Sequence, residues 1–139
     1  MDGVFFEDLT VGQSASFGKT VTEADILMFA AVSGDTNPVH INAEAAAASM
    51  FKERIAHGML SAGFISAVLG TRLPGPGTIY LSQTLKFRAP VTIGQTVTAT
   101  VEVTALDAAK KRATLKTTCT VAGKVVIEGE ALVMPPSRG

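Results

Sequence analysis

The stretch Ser33-Gly34-Asp35-Thr36-Asn37-Pro38-Val39-His40 sets a carboxylate and an imidazole five residues apart on a backbone that resists helix continuation. Pro38 disfavours the α region at Asn37, and Gly34, Asp35 and Asn37 all leave helical geometry readily. A turn with these constraints holds Asp35 and His40 toward one small volume. An acid and a base converging on a single water form a general acid/base arrangement suited to neutral pH. Taken singly, each residue has a simpler role, Asp35 as a turn carboxylate accepting backbone N–H bonds and His40 as a polar residue bonded within the turn. The pairing is what points to chemistry.

A second polar island, His57-Gly58, stands immediately before a long apolar run. Glycine at a helix N-terminus exposes unpaired N–H groups at the positive end of the helix dipole, where charge developing on an oxygen is stabilised. Tight packing also explains such a glycine, and a hydrogen-bonded structural role explains His57. Within the run, Ser61 and Ser66 are the interior hydroxyls, and bonding to the carbonyl one turn back is the simplest fate for both. Two histidines without matching ligand spacing predict no metal site, and the glycines match neither phosphate-loop nor dinucleotide patterns, so no cofactor is expected. Neither serine has nucleophile-elbow context, which disfavours covalent acyl transfer.

These groups need elements to position them. Thr22 is a good N-cap, with Glu23 and Asp25 in the first turn, and predicts a helix over 23–32, apolar enough to be buried. Asn42 caps a short alanine-rich segment over 43–50. The run over 58–73 leaves almost no polar face, so this helix must be surrounded, and Pro74-Gly75-Pro76-Gly77 ends it. A strand over 14–21 precedes the helices, and strands over 79–87, 96–106, 112–121 and 124–134 follow them. Alternation in 96–103 lines one face with apolar side chains. The fold class is α+β, a single domain over 1–134 in which an antiparallel sheet wraps a buried helix, with a short disordered tail over 135–139.

The chain has 139 residues, 47% of them hydrophobic, which suits one domain with a sizeable core. Twelve basic residues balance twelve acidic ones, so no global field attracts nucleic acid or an anionic membrane, although a local basic patch for a phosphate is compatible. The single Cys119 reads as a packing residue on a strand in a reducing compartment. No targeting or spanning segment is recognisable, and a soluble, cytoplasmic protein is expected.

Phe29 to His40, followed by Ala46, resembles the hydratase-2 motif of the MaoC-like (R)-specific enoyl-CoA hydratases, in particular the short bacterial hydratases linked to polyhydroxyalkanoate supply. The resemblance continues through Ala56-His57-Gly58-Met59-Leu60 and Leu81-Ser82-Gln83-Thr84-Leu85-Lys86-Phe87-Arg88-Ala89-Pro90-Val91. It implies a hot-dog fold and a homodimer with active sites at the subunit interface. Carried over by position, it makes Asp35 and His40 the catalytic pair, the Gly58 N–H the group that polarises a thioester carbonyl, and Ser66 a supporting hydroxyl, with Asn37 and His57 also supporting the site. The implied reaction adds water reversibly to a trans-2-enoyl-CoA to give an (R)-3-hydroxyacyl-CoA. Three rivals stand beside it: action on a branched or dicarboxylic acyl-CoA, a thioesterase, and a non-catalytic acyl-CoA-binding module. Phe64, Ile65, Leu69 and Leu132 are the expected acyl-pocket walls, whose bulk would favour chains of about four to six carbons. Arg54, Lys86 and Arg88 are candidates to meet the CoA phosphates, or are solvated surface charges.

Overall fold

In a computed structural model that describes residues 2–139, one five-stranded antiparallel sheet of order β1-β3-β4-β5-β2 packs its concave face on a long helix. The strands are β1 (Ser14–Thr20), β2 (Ile79–Phe87), β3 (Thr96–Asp107), β4 (Arg112–Val121) and β5 (Lys124–Met134). The helices are α1 (Glu23–Ser33), α2 (Pro38–Ile41), α3 (Ala43–Ala47) and α4 (Gly58–Thr71), and a 3₁₀ turn at Phe6–Asp8 precedes them. Period-two patterning sets the sheet's inner face: Val97, Ala99, Val101 and Val103 of β3 and Ala113, Leu115, Thr117 and Cys119 of β4 are fully buried. Ile65, Val68 and Leu69 of α4 and Ile26 of α1 complete the core beneath them. Cys119 lies so deep that burial pushes its thiol up to about 12, which leaves it inert as a nucleophile.

Both long helices are less enclosed than their composition suggests. Only Ile26 and Ala30 of α1 are buried, whereas Leu27 and Met28 lie open and Val32 is 87% exposed. Helix α4 buries Ser61, Ala62, Phe64, Ile65, Val68 and Leu69, but Met59, Gly63, Ser66 and Gly70 form an exposed stripe along its other side. One chain has a single sheet to cover helices that are apolar on more than one face, so the expectation of burial fails on the side away from it.

The first turn of α1 is fixed by a capping box, in which Asp25 N–H donates to Thr22 Oγ1 at 3.2 Å and Thr22 N–H donates to Asp25 Oδ2 at 2.9 Å. Lys19 Nζ lies 2.8 Å from the same carboxylate and, with the Thr22 amide, holds it below the ordinary carboxylate range. A depressed folded-state value means that this stabilisation is present above the unfolded carboxyl's pKa and is lost as pH falls through the folded one. Asp25→Ala is expected to cost about 1 kcal/mol in thermal or urea unfolding near neutral pH. The difference from wild type should shrink toward zero in strong acid.

Residues 135–139 form neither helix nor strand, and they lie against the N-terminal 3₁₀ turn. Phe6 N–H donates to Pro136 O at 2.7 Å, Arg138 Nη2 pairs with Asp8 Oδ2 at 2.6 Å, and the Arg138 guanidinium stacks 4.4 Å over the Phe5 ring. The Arg138 amide and the Ser137 hydroxyl hold the Glu7 carboxyl down to about 2.

Candidate active site

Helix α1 ends at Gly34, whose φ of 81° is the left-handed conformation that closes a helix without a Cβ penalty. Ser33 Oγ then receives the Asp35 amide at 3.1 Å, and Asp35 Oδ1 receives the Asn37 amide at 3.1 Å. Pro38, expected only as a helix breaker, instead opens the one-turn helix α2. It occupies the first helical position, where its missing N–H costs nothing, and Asn37 caps the turn by accepting from Val39 N–H at 3.3 Å. This extra turn swings His40 inward, so that its side chain is 10% exposed while that of Asp35 is 50% exposed.

His40 Nδ1 lies 2.8 Å from Ile55 O. A carbonyl only accepts, so Nδ1 carries a proton, and Nε2 faces Asp35 Oδ2, 4.0 Å away. That separation is beyond a direct hydrogen bond and within the span of one bridging water. His57 stacks on His40 with ring centroids 3.9 Å apart, and its Nε2 donates to Asp35 O at 2.9 Å, which leaves Nδ1 buried without a partner. The ligand atoms of Asp35, His40 and His57 lie within 4.8 Å of one another, and the carbonyls of Ile55 and Asp35 each engage one ring nitrogen, of His40 and His57 respectively.

Gly58 begins α4, and no side chain caps that end, so its first amides are open. A cleft of about 480 Å³ brings Gly58 together with Asp35, His40, His57, Phe29, Ser33, Met59 and Phe87. Phe29, Met59 and Phe87 lie within the stretches that carry the resemblance but have no chemical signal of their own beyond hydrophobicity, and the orienting carbonyl of Ile55 carries none. Ser66 lies in an adjoining cleft of about 470 Å³ that shares Phe29 and Met59. A third cavity, of about 390 Å³, opens on the other side of Gly58 and Phe87.

Several expected site residues fall elsewhere. Phe64, Ile65 and Leu69 belong to the core beneath the sheet, with Phe64 edge-on to Phe17 at 6.2 Å, and none of them lines the three clefts. Leu132 alternates with the buried Ala131 and Val133, so it is on the sheet face away from α4. Arg54 is a strut: Nε donates to His40 O at 2.8 Å and Nη1 pairs with Glu23 Oε1 at 2.6 Å, tying α2 to the start of α1. Two of its guanidinium nitrogens are committed in this way, and Nη2 is buried without a partner. Arg54→Ala is expected to lower kcat by about tenfold with little change in KM, through loosened placement of His40. Lys86 and Arg88 are exposed, and Arg88 pairs with Glu128.

The match to the MaoC like domain model spans residues 8–129. This chain belongs to the MaoC-like domain family. Among MaoC-like relatives, the (R)-specific enoyl-CoA hydratase of Rhodospirillum rubrum is 68% identical over 97% of this chain and 94% of its own length. The 3-hydroxybutyryl-CoA dehydratase of Methylorubrum extorquens is 51% identical over 97% of this chain and 86% of its own. The solved (R)-hydratase from A. caviae, described as involved in PHA biosynthesis, superposes with a TM-score of 0.91 at 46% identity, covering 94% of this chain and 99% of that one. The MaoC-like chain thus has the hot-dog fold that its motif implied.

Proposed function

We propose that this chain adds water reversibly to trans-2-enoyl-CoA thioesters to give (R)-3-hydroxyacyl-CoA, with Asp35 and His40 handling the water and the Gly58 N–H holding the thioester oxygen. The observation that carries this reading is the 4.0 Å gap between Asp35 Oδ2 and His40 Nε2, two acceptors in one cleft with Gly58. A water donating one hydrogen to each acceptor turns its oxygen lone pair outward, toward C3 of a bound enoyl group. As the C3–O bond forms, the pair takes one water proton and the C2–C3 π electrons move toward the thioester carbonyl. The resulting enolate oxygen accepts from Gly58 N–H, and the pair returns a proton to C2. The (R) configuration and both directions of the reaction are those named for the relatives. Exposed Arg88, at the rim of the cavity beside Phe87, is the basic group best placed for a CoA phosphate. Crotonyl-CoA should lose its conjugated-enoyl absorbance, with chiral analysis finding the (R) product. Release of free CoA without hydration would instead favour a thioesterase.

A second copy of the chain is the proposed partner. Strand β2 is a sheet edge, its Ile79, Tyr80 and Leu81 are exposed, and the α4 stripe and Val32 add further apolar surface. A Cβ built on Gly63 meets nothing within 4 Å in the single chain, so Gly63→Lys tests the interface without burdening the protomer. Light scattering should find wild type as a dimer and Gly63→Lys as a monomer with reduced turnover.

A further inference from the structure

Ser33 is the last residue of α1, and its hydroxyl makes two bonds there. It donates to Phe29 O, one turn back, at 2.6 Å, and it accepts from Asp35 N–H at 3.1 Å. The helix closes with Gly34 N–H on Ala30 O at 2.9 Å. In one common closure around a left-handed glycine the following amide bonds back to a helix carbonyl as well. Here that amide belongs to Asp35, and Ser33 Oγ takes it instead. Ser49 turns the chain after α3 by the same pair of bonds, to Ala46 O at 2.6 Å and from Phe51 N–H at 3.2 Å, which marks the motif as a way of steering backbone. At Ser33 the residue being steered is Asp35.

Ser33 lines the same cleft as Asp35, His40 and Gly58, yet the proposed reaction makes no use of its hydroxyl. The polar atoms of Asp35 are almost all occupied. Its N–H donates to Ser33 Oγ, its O accepts from His57 Nε2 at 2.9 Å, and its Oδ1 accepts from Asn37 N–H at 3.1 Å. Among the described residues Oδ2 has no hydrogen-bond partner, and it is the oxygen that faces His40 Nε2. The peptide groups on either side of the Asp35 Cα are thus gripped separately, one by the buried His57 ring and the other by the hydroxyl at the exposed end of α1. A carboxylate that is 50% exposed has little wall to hold it, so its direction is inherited from the backbone that carries it.

We infer that Ser33 is a positioning residue: its Oγ fixes the Asp35 amide at the end of α1, and through that amide the direction from which Oδ2 meets the bridging water. The inference rests on the hydratase reading of the Asp35/His40 pair. Ser33 itself touches neither water nor thioester. Its hydrogen already serves Phe29 O, so its effect passes through Asp35. Without the hydroxyl, solvent satisfies the exposed amide, so the fold loses little while the direction of the carboxylate is no longer set. Misplacing a reacting group by about 1 Å costs up to about 10²-fold in rate.

Crotonyl-CoA kinetics and solvent exchange of the Asp35 amide hydrogen, followed by NMR, test this on wild type, Ser33→Ala and Ser33→Thr, with thermal melting to check that each variant is folded. Ser33→Ala should lower kcat by about tenfold with KM nearly unchanged, and its Asp35 amide should exchange faster. Ser33→Thr keeps an Oγ that can bond the same carbonyl, and it should restore both. Because the effect passes through Asp35, adding Ser33→Ala to Asp35→Asn should cost no further activity, whereas a merely structural loss would appear again in full. A wild-type kcat in Ser33→Ala, a full further loss in the Asp35→Asn background, or unchanged exchange at Asp35 overturns the inference. If wild type hydrates crotonyl-CoA and Ser33→Ala does so equally fast, the hydratase reading stands and the Ser33 role falls. If exchange at Asp35 rises in Ser33→Ala but wild type hydrates no enoyl-CoA, the hold on Asp35 stands and the hydratase reading falls.

Discussion

Asp35→Asn is expected to lower kcat by about 10²–10⁴-fold with KM for crotonyl-CoA nearly unchanged and thermal stability preserved. The substitution is close to isosteric on a side chain that is 50% exposed, and an amide oxygen can still receive the Asn37 N–H that Asp35 Oδ1 receives at 3.1 Å. What changes is the second carboxylate oxygen. Its replacement by a donating NH₂ turns one of the two acceptors facing the bridging water into a donor, so the water can no longer give a hydrogen to each side. His40→Ala should be as slow, but it also strips Ile55 O of its 2.8 Å partner and removes the ring stacked on His57, so a loss of stability is expected with it. Asp35→Asn is therefore the cleaner measurement. Turnover near the wild-type rate in that variant would remove Asp35 from the reaction.

Gly58→Ala is expected to cost about 10²–10³-fold in kcat. A Cβ at this position would sit 2.5 Å from Phe87 Cε1 and 2.6 Å from Cδ1, so either the ring or the first turn of α4 must move. Movement of the helix displaces the N–H that the enolate oxygen needs. Movement of the ring pushes it into the clefts on both sides, because Phe87 lines each of them. The two causes separate in the double variant Gly58→Ala/Phe87→Ala. Recovery of most of the activity there would assign the loss to crowding, whereas a persistent deficit in kcat would assign it to the displaced amide. Full activity in Gly58→Ala alone would rule out an oxyanion role for this end of the helix.

Strands 79–87, 112–121 and 124–134 were legible in the sequence to the residue, because turn-forming glycine, alanine or proline segments flank each of them. The Asp35/His40 pair was legible for the same kind of reason: Gly34 and Pro38 constrain the backbone locally, whatever packs against it. The α2 turn was not, since Pro38 stops one helix and starts another with the same fixed φ, and only the Asn37 cap decides between them. Because an almost uniformly apolar helix carries no periodicity to show it, it was not legible which side of α4 meets the sheet. Phe64, Ile65 and Leu69 turned out to face it, and Met59, Gly63 and Ser66 turned out to face away. Arg54 read as a surface cation because nothing local shows that His40 O and Glu23 lie within its reach.

The open side of α4 also bears on how the protein unfolds. A helix that keeps Met59, Gly63, Ser66 and Gly70 uncovered in the single chain has part of its stabilisation supplied by whatever docks there. If that is a second protomer, unfolding is coupled to dissociation and mass action enters the melting curve. Diluting the protein should then lower its melting temperature, and the separated Gly63→Lys chain should melt at one temperature whatever its concentration.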